Sequence, residues 1–380
     1  MSAVPAPTGL RTWLEISREK LIRNYQSIRQ TVGEAIEVAA VVKADAYGHG
    51  AVEVARTLES AGAGWFAVTS VAEAIELRRA AVTGRILVLA ESGQLDALAE
   101  FRLTPVLHSV EQVEELESWA RRREIRPRFH LKLDTGMGRL GLHEAPAAEM
   151  AGRLSRCPHL LLEGLATHLA SAEDFHSGQT EEQVERFHRA VELFAAQGLR
   201  PRYLHLANSA ALAYRPPTWG SMVRPGLALY GCLMPPRGRP AAASALALHP
   251  ILNWRARILA VKDYAAGLPL GYDAAYRTTR PMRIGVIAAG YADGLDRRLS
   301  NGGPVLAGGR RTSIVGLVSM DVSLVDLTAC PELRPGGSVT LLGQDGGARL
   351  DALELAGHCQ TIPYEILCRI GKRVARQPSD

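Results

Sequence analysis

Ala39-Ala-Val-Val-Lys43-Ala-Asp-Ala-Tyr47-Gly-His-Gly50 is the stretch from which the rest of the chain can be read. Residues 38–42 are apolar without polar alternation. A strand of that kind is buried on both faces, and such strands belong to parallel sheets covered by helices. Lys43 leaves the strand at its carboxyl end, where barrels and doubly wound sheets keep their active sites. A partly desolvated lysine there has a lowered pKa and a nucleophilic amine.

Outward from this stretch the pattern repeats. Before it, residues 17–32 read as an amphipathic helix with Ser17 as N-cap, Leu21, Tyr25 and Ile28 on one face, and Gly33 as terminator. After it, short apolar runs fall at 65–69, 85–89, 105–107, 129–133, 161–166, 203–207 and near 227–230. Helical patterns such as 71–81, 110–123, 146–157 and 180–197 lie between them. Eight β units with intervening helices predict an α/β fold, an N-terminal (β/α)8 barrel of the TIM type over residues 12–235. The rhythm stops at Gly231, and residues 234–240 are rich in Pro, Gly and Arg. From 250 onward, β-branched runs at 258–261, 284–288, 312–318 and 338–342 alternate with Gly and Pro turns, and a helical pattern lies within 352–376. This predicts a C-terminal, mostly-β domain over residues 241–380, with residues 1–11 packing against it.

The 44 basic and 39 acidic residues give a net charge of +5 and are interleaved along most of the chain, which argues against a nucleic-acid partner. The densest basic run, 121–128, follows an acidic helix pattern and reads as a solvated helix end. Five cysteines without CxxC or metal-ligand spacing suit a reduced, cytoplasmic setting. No window reaches membrane-spanning length, and residues 1–9 lack the pattern of a signal peptide, so no membrane association is expected.

If the barrel is right, its strand ends should collect the reactive residues. Lys43 follows the first strand, Lys132 and Asp134 lie at the fifth with Arg139 beyond, and His168 ends the sixth. Asn208 and Ser209 end the seventh, and Arg224 and Gly226 lie around the eighth. Ser209 opens a short helical run that offers a hydroxyl and backbone N–H groups to an anion, and Gly226 permits close backbone approach. A phosphate-bearing cofactor beside a lysine amine points to pyridoxal phosphate held as a Schiff base. Gly136-Met-Gly138-Arg-Leu-Gly141 matches the dinucleotide pattern GxGxxG, yet no helix starts inside it; it reads as a tight loop positioning Arg139. His49, His168, His205 and His249 lack paired spacing, so no metal site is expected.

From about Trp13 to Arg376 the chain resembles the alanine racemases, pyridoxal phosphate enzymes of fold type III. The motifs are Val-Val-Lys43-Ala-Asp-Ala-Tyr47-Gly-His-Gly, Lys132-Leu-Asp-Thr-Gly-Met-Gly-Arg139-Leu-Gly, Thr167-His168, Ala207-Asn208-Ser209, Val223-Arg224-Pro-Gly226, Gly-Tyr272, Gly-Tyr291-Ala-Asp-Gly, Met320-Asp321 and Ile362-Pro-Tyr364-Glu. The resemblance implies racemisation of alanine by two bases, Lys43 for the D enantiomer and Tyr272 for the L enantiomer. Tyr272 and Met320 would come from the partner subunit of a head-to-tail homodimer with shared active sites. It implies that Tyr47, Ser209, Gly226, Leu227 and Tyr364 hold the cofactor phosphate. His168 and Asn208 would lie near the ring, with Arg224 against the pyridine nitrogen. Arg139 and Met320 would contact the amino-acid substrate, and Tyr291 would stand at the entrance. Lys132 matches a lysine that many members carry as a carbamate. The D-alanine would supply cell-wall peptidoglycan.

Two opposed bases are what racemisation requires, since a proton leaves one face of a planar carbanion and another arrives on the opposite face. A tyrosine with a pKa near ~10 needs cationic neighbours to act as a base, and His168 with Arg139 or Arg224 is expected to supply that field. Ser319, Gly271, Asp273 and Pro363 depart from residues common in the family, without removing a reacting group. A broad-specificity amino-acid racemase, a decarboxylase of the same fold type and a non-catalytic pyridoxal phosphate-binding protein are the alternatives. The carboxylate that such decarboxylases place at the position of Arg224 is absent, and a simple carrier has no use for Tyr272 and Met320.

Overall fold

The computed structural model describes residues 9–239 and 244–380, and its contacts divide the chain into two units. The larger, residues 21–46 and 51–249, is a parallel barrel. Its strands are Glu37–Val41, Trp65–Val68, Arg85–Val88, Leu103–Leu107, Arg128–Lys132, Leu161–Ala166, Tyr203–His205 and Met222–Val223. Strands adjacent in sequence are adjacent in the sheet, and the last pairs with the first, Glu37 opposite Met222 and Val38 opposite Val223. The seam is closed by Ser221 N donating to Leu204 O and Arg224 N to Ala207 O, both at 2.9 Å.

Local chemistry sets the helices that fill the gaps. Ser70 caps Val71–Arg79 in a capping box with Glu73, and Ser109 caps Val110–Arg123 by accepting from Gln112 N. That helix buries Val113, Leu116, Trp119 and Ala120, the stripe its spacing predicts, and ends at Glu124 in a left-handed cap with φ 55°. Lys20 N donates to Ser17 Oγ at the start of Arg18–Val32, and Gly33 ends it with φ 78°.

The eighth strand is not near 227–230, as the apolar run there suggests. It is Met222–Val223, and Leu227–Tyr230 turns on three-residue bonds, Leu229 N to Gly226 O and Tyr230 N to Leu227 O. The run is apolar because the turn is buried, with Leu227 1% and Leu229 0% exposed; apolarity reports burial and not conformation.

The second unit comprises the described residues up to Lys20, residues 47–50 and residues 250–380. A nine-stranded, mostly antiparallel sheet forms it, bent around the long strand Leu252–Tyr264, which pairs with Thr12–Ser17, Met282–Ile287 and Ser338–Asp345. Thr12–Ser17, expected within the barrel domain, is thus a strand of this sheet. Its register with Leu252–Tyr264 buries Trp13 and Leu14, and Trp254 Nε1 donates to Thr12 Oγ1 at 2.8 Å. Residues 1–8 and 240–243 lie outside the described residues; the described residues 236–239 and 244–249, expected beyond the barrel, belong to the barrel unit, which ends at 249 and not at 235. No helix among the described residues is long and apolar enough to cross a membrane.

Candidate active site

Lys43 does not open a loop. It begins a one-turn helix, Lys43–Gly48, in which Ala44, Asp45, Ala46 and Tyr47 all have φ between 51° and 55°. A left-handed turn of L-residues costs about 1–2 kcal/mol per residue, so neighbours must hold it. Glu73 does so from the next βα unit: Oε1 accepts from Ala44 N at 2.7 Å, and Oε2 from Thr69 N at 2.7 Å and Ser70 N at 3.1 Å. Asp45 Oδ1 accepts from Ala51 N at 2.7 Å and ties down the far end.

The Gly-rich stretch after Arg128–Lys132 is a tight loop wrapped around one carboxylate. Asp134 accepts from the backbone N–H of Gly136, Met137, Gly138 and Arg139 at 2.9–3.1 Å, and these bonds hold its pKa below the usual carboxylate range. Gly141, at φ 121°, has no room for a side chain: a Cβ would lie 2.6 Å from Asp134 N. The loop delivers Arg139, exposed, beyond the partly buried Lys132.

Arg224 is 8% exposed and held from behind. Nη1 donates to His205 Nδ1 at 2.8 Å and His205 O at 2.7 Å; Nη2 donates to Thr167 O at 2.7 Å and Leu206 O at 3.2 Å. Its four Nη hydrogens are therefore occupied, and Nε–H is the donor left over. Burial brings its pKa down to about 10, still charged at neutral pH.

His168 sits among these cations. Burial first, then Arg224, Lys132, Arg139 and Lys43, lower its pKa to about 3. It is neutral, and so does not add to the positive field expected of it; the arginines and lysines carry that field alone. Lys132 is lowered to about 8 by burial and then by Arg139 and Arg224, with Asp134 opposing.

On the closing side of the barrel, Ser209 is 4% exposed and its Oγ accepts from Gly226 N at 2.9 Å and Ala228 N at 3.2 Å. Leu227 lies between those two donors. Asn208 caps the helix Ser209–Tyr214 through Oδ1, to Ala210 N and Ala211 N. Nine expected residues thus fall in the barrel unit: Lys43, Lys132, Arg139, His168, Asn208, Ser209, Arg224, Gly226 and Leu227.

The others fall in the second unit, in three places. Tyr47 and Tyr364 pack ring against ring with centroids 5.7 Å apart, and burial followed by Tyr364 and Cys368 raises the pKa of Tyr47. Tyr291 and Met320 are adjoining, since Tyr291 N donates to Ser319 O and Ala292 N to Met320 O, both at 3.0 Å. Tyr272 stands on a turn in which Asp273 is left-handed, and Asn301 ties that turn down through Ala275 O and Gly316 N. Tyr272, Met320 and Tyr291 are 69%, 54% and 44% exposed.

The donor set suits an anionic cofactor. Four cations, Lys43, Lys132, Arg139 and Arg224, act on one neutral histidine, and the nearby carboxylate of Asp134 is taken up by four backbone N–H groups. Such a set fits a phosphate ester and a carboxylate substrate, and a lysine amine is the group that condenses with a carbonyl. Among the described residues, no group of three or more His, Cys, Asp or Glu is placed to hold a metal ion.

Sequence reasoning missed the residues behind these. Glu73 was not singled out. His205 looked like an isolated histidine, and His130 and Glu163 drew no attention. The usable signal was period two: His130 and Lys132 alternate on one strand, two residues apart.

Known proteins match the chain along nearly its whole length. Residues 16–234 match the model of the alanine racemase N-terminal domain, and residues 251–378 that of the alanine racemase C-terminal domain. The alanine racemase of Symbiobacterium thermophilum is 41% identical over 97% of this chain and 97% of its own length. That of a Nostoc species is 39% identical, over 96% of this chain and 95% of its own. Among solved structures, alanine racemase from a D-cycloserine-producing Streptomyces lavendulae superposes with a TM-score of 0.91 at 31% identity, covering 98% of both chains. The enzyme from Bartonella henselae, solved with covalently bound pyridoxal phosphate, gives 0.85 at 30% identity over 97% of this chain and 99% of that one.

Proposed function

This chain belongs to the alanine racemase family, and we propose from that premise how its own residues interconvert L- and D-alanine. It is a pyridoxal phosphate-dependent isomerase. When bound, the cofactor supplies an electron sink beside the substrate Cα, a weaker sink when its ring nitrogen accepts a hydrogen bond without taking a proton. Arg224 is the observation that carries the reading. With its Nη groups committed to protein acceptors, it has Nε–H to offer, and a guanidinium that stays charged donates a hydrogen bond without surrendering the proton. That favours immediate reprotonation over side reactions.

Lys43 Nζ holds the cofactor and exchanges the proton on the face used by D-alanine. Tyr272 Oη exchanges it on the other face. Ser209, Gly226, Leu227, Tyr47 and Tyr364 bind the phosphate; His168 and Asn208 border the ring. Arg139 takes the substrate carboxylate, Met320 lines its side chain and Tyr291 narrows the entrance. The exposure of Tyr272, Met320 and Tyr291 supports their delivery into the site of a second copy in a head-to-tail homodimer. Lys132, with a pKa brought to about 8, has an unprotonated amine fraction that carbon dioxide converts to a carbamate, releasing one proton. The product would exchange a cation for an anion beside Arg139. A cytoplasmic enzyme supplying D-alanine for the cell wall is the setting this chemistry suits.

The direct test is racemisation of L-alanine by purified protein, followed by circular dichroism beside L-serine, L-lysine and L-arginine. Turnover of alanine far above the panel is expected. Equal turnover across the panel would replace alanine with a broad substrate class.

A further inference from the structure

Behind Arg224 runs a buried polar line that the reaction does not use. Arg224 Nη1 lies 2.8 Å from His205 Nδ1, and His205 Nε2 lies 2.8 Å from His130 Nδ1. His130 Nε2 has no hydrogen-bond partner, and the nearest acid is Glu163 Oε2 at 3.7 Å. Both histidines are 0% exposed. Arg85, from the start of the strand Arg85–Val88, grips Glu163 through both carboxylate oxygens at 2.5 and 3.0 Å. Gly164 leaves room for the His130 ring, since a Cβ there would lie 2.5 Å from His130 Nδ1.

Donor and acceptor counting gives this line a direction. A guanidinium only donates, so His205 Nδ1 accepts and its hydrogen sits on Nε2. His205 Nε2–H then donates to His130 Nδ1, which puts the His130 hydrogen on Nε2, toward Glu163. Burial lowers the pKa of both rings, consistent with two neutral imidazoles. The opposite sense is also self-consistent between the two rings: His130 Nδ1–H would donate to His205 Nε2. It would place an N–H of His205 against an N–H of Arg224, and the contact would break. Two charges favour the first sense, the Arg224 guanidinium at one end of the line and the Glu163 carboxylate facing His130 Nε2 at the other.

We propose that Glu163 is a positioning residue for Arg224: by its charge it selects the Nε2–H form of His130 and His205, which keeps the arginine anchored through Nη1 and leaves Nε–H for the cofactor. This rests on the role given to Arg224 above. The bland alternative, an ion pair of Glu163 with Arg85 alone, predicts nothing about the histidines.

The experiment is 15N NMR of histidine-labelled holoenzyme, wild type and Glu163→Gln, an isosteric change that removes the charge. Wild type should show both buried histidines neutral and wholly Nε2–H. Glu163→Gln should show mixed tautomers in both, with kcat for alanine lowered by about three- to tenfold and KM within twofold. An imidazolium or an Nδ1–H form in either wild-type ring would overturn the proposal, as would Glu163→Gln holding both rings in the Nε2–H form. If the variant does not fold, the wild-type spectrum still decides the direction of the line. Racemisation by Arg224→Ala at the wild-type rate would instead defeat the reading of Arg224, a result the histidine spectra cannot produce.

Discussion

Replacing Glu73 with alanine should damage the site without touching any reacting group. The carboxylate accepts three backbone N–H bonds, two at Thr69 and Ser70 that are partly buried and one at Ala44 that is exposed. Bonds to a charged acceptor contribute about 1.5–3 kcal/mol each when shielded and less where water substitutes. Allowing for water at Ala44 and for the lost capping box, the barrel should lose about 2–4 kcal/mol. The second effect is local. Four left-handed residues after Lys43 carry about 4–8 kcal/mol of backbone cost, and the Ala44 bond is one of the contacts opposing it. With that bond gone the turn relaxes and the amine shifts; a displacement near 1 Å lowers turnover by up to about 100-fold. Chemical denaturation of the holoenzyme and racemisation followed by circular dichroism measure the two effects. A Glu73→Ala protein within about 0.5 kcal/mol of wild type, turning over within twofold of it, would refute the claim that this contact holds the turn.

Further expectations concern the reacting groups and their supports. Lys43→Ala should lose the visible cofactor absorbance and activity, and Tyr272→Phe should keep the absorbance but lose proton exchange from L-alanine in deuterated water; mixing the two proteins should restore part of the activity through heterodimers. Lys132 has a folded pKa of about 8 against an ordinary 10.5, so between those values the unfolded chain binds more protons and stability rises with pH. Lys132→Met should therefore flatten that rise and raise stability at neutral pH, measured by denaturant titration in carbon dioxide-free buffer. Gly141→Ala places a Cβ against Asp134 N at a left-handed φ and should cost about 1–3 kcal/mol, with KM for alanine rising as Arg139 moves, both read from denaturation and kinetics.

Most of the barrel was legible because its strands are short apolar runs between helical patterns, and Ser17 and Gly33 mark helix ends by chemistry that works locally. Two features were not. The run at 227–230 is apolar for the same reason a strand is, and only the bonds from Leu229 and Tyr230 distinguish a buried turn. The turn after Lys43 contains Ala44, Ala46 and Tyr47, none of which favours a positive φ; Glu73 holds it from outside, and Asp45 from within through Ala51 N. The charge state of His168 was misjudged because it depends on burial and on Arg224, Lys132, Arg139 and Lys43 arriving together from three strand ends. The strand ends themselves could be read, since a lysine, an arginine or a serine closing an apolar run has little reason to be there in a mere scaffold.

The strand Thr12–Ser17 has a consequence for how the molecule is made. It lies between Leu252–Tyr264 and Ala375–Ser379, with Trp13 opposite both Arg255 and Ala375. During synthesis this strand therefore leaves the ribosome well before Leu252–Tyr264 and longer still before Ala375–Ser379. At about 5–20 residues per second that is a delay of tens of seconds, during which its two hydrogen-bonding edges lack their strands. A ribosome stalled after the barrel has emerged holds a complete parallel barrel beside an unpaired β-edge. Chaperone capture of such stalled chains should drop sharply when Thr12 and Leu14, alternate positions along that edge, are changed to lysine.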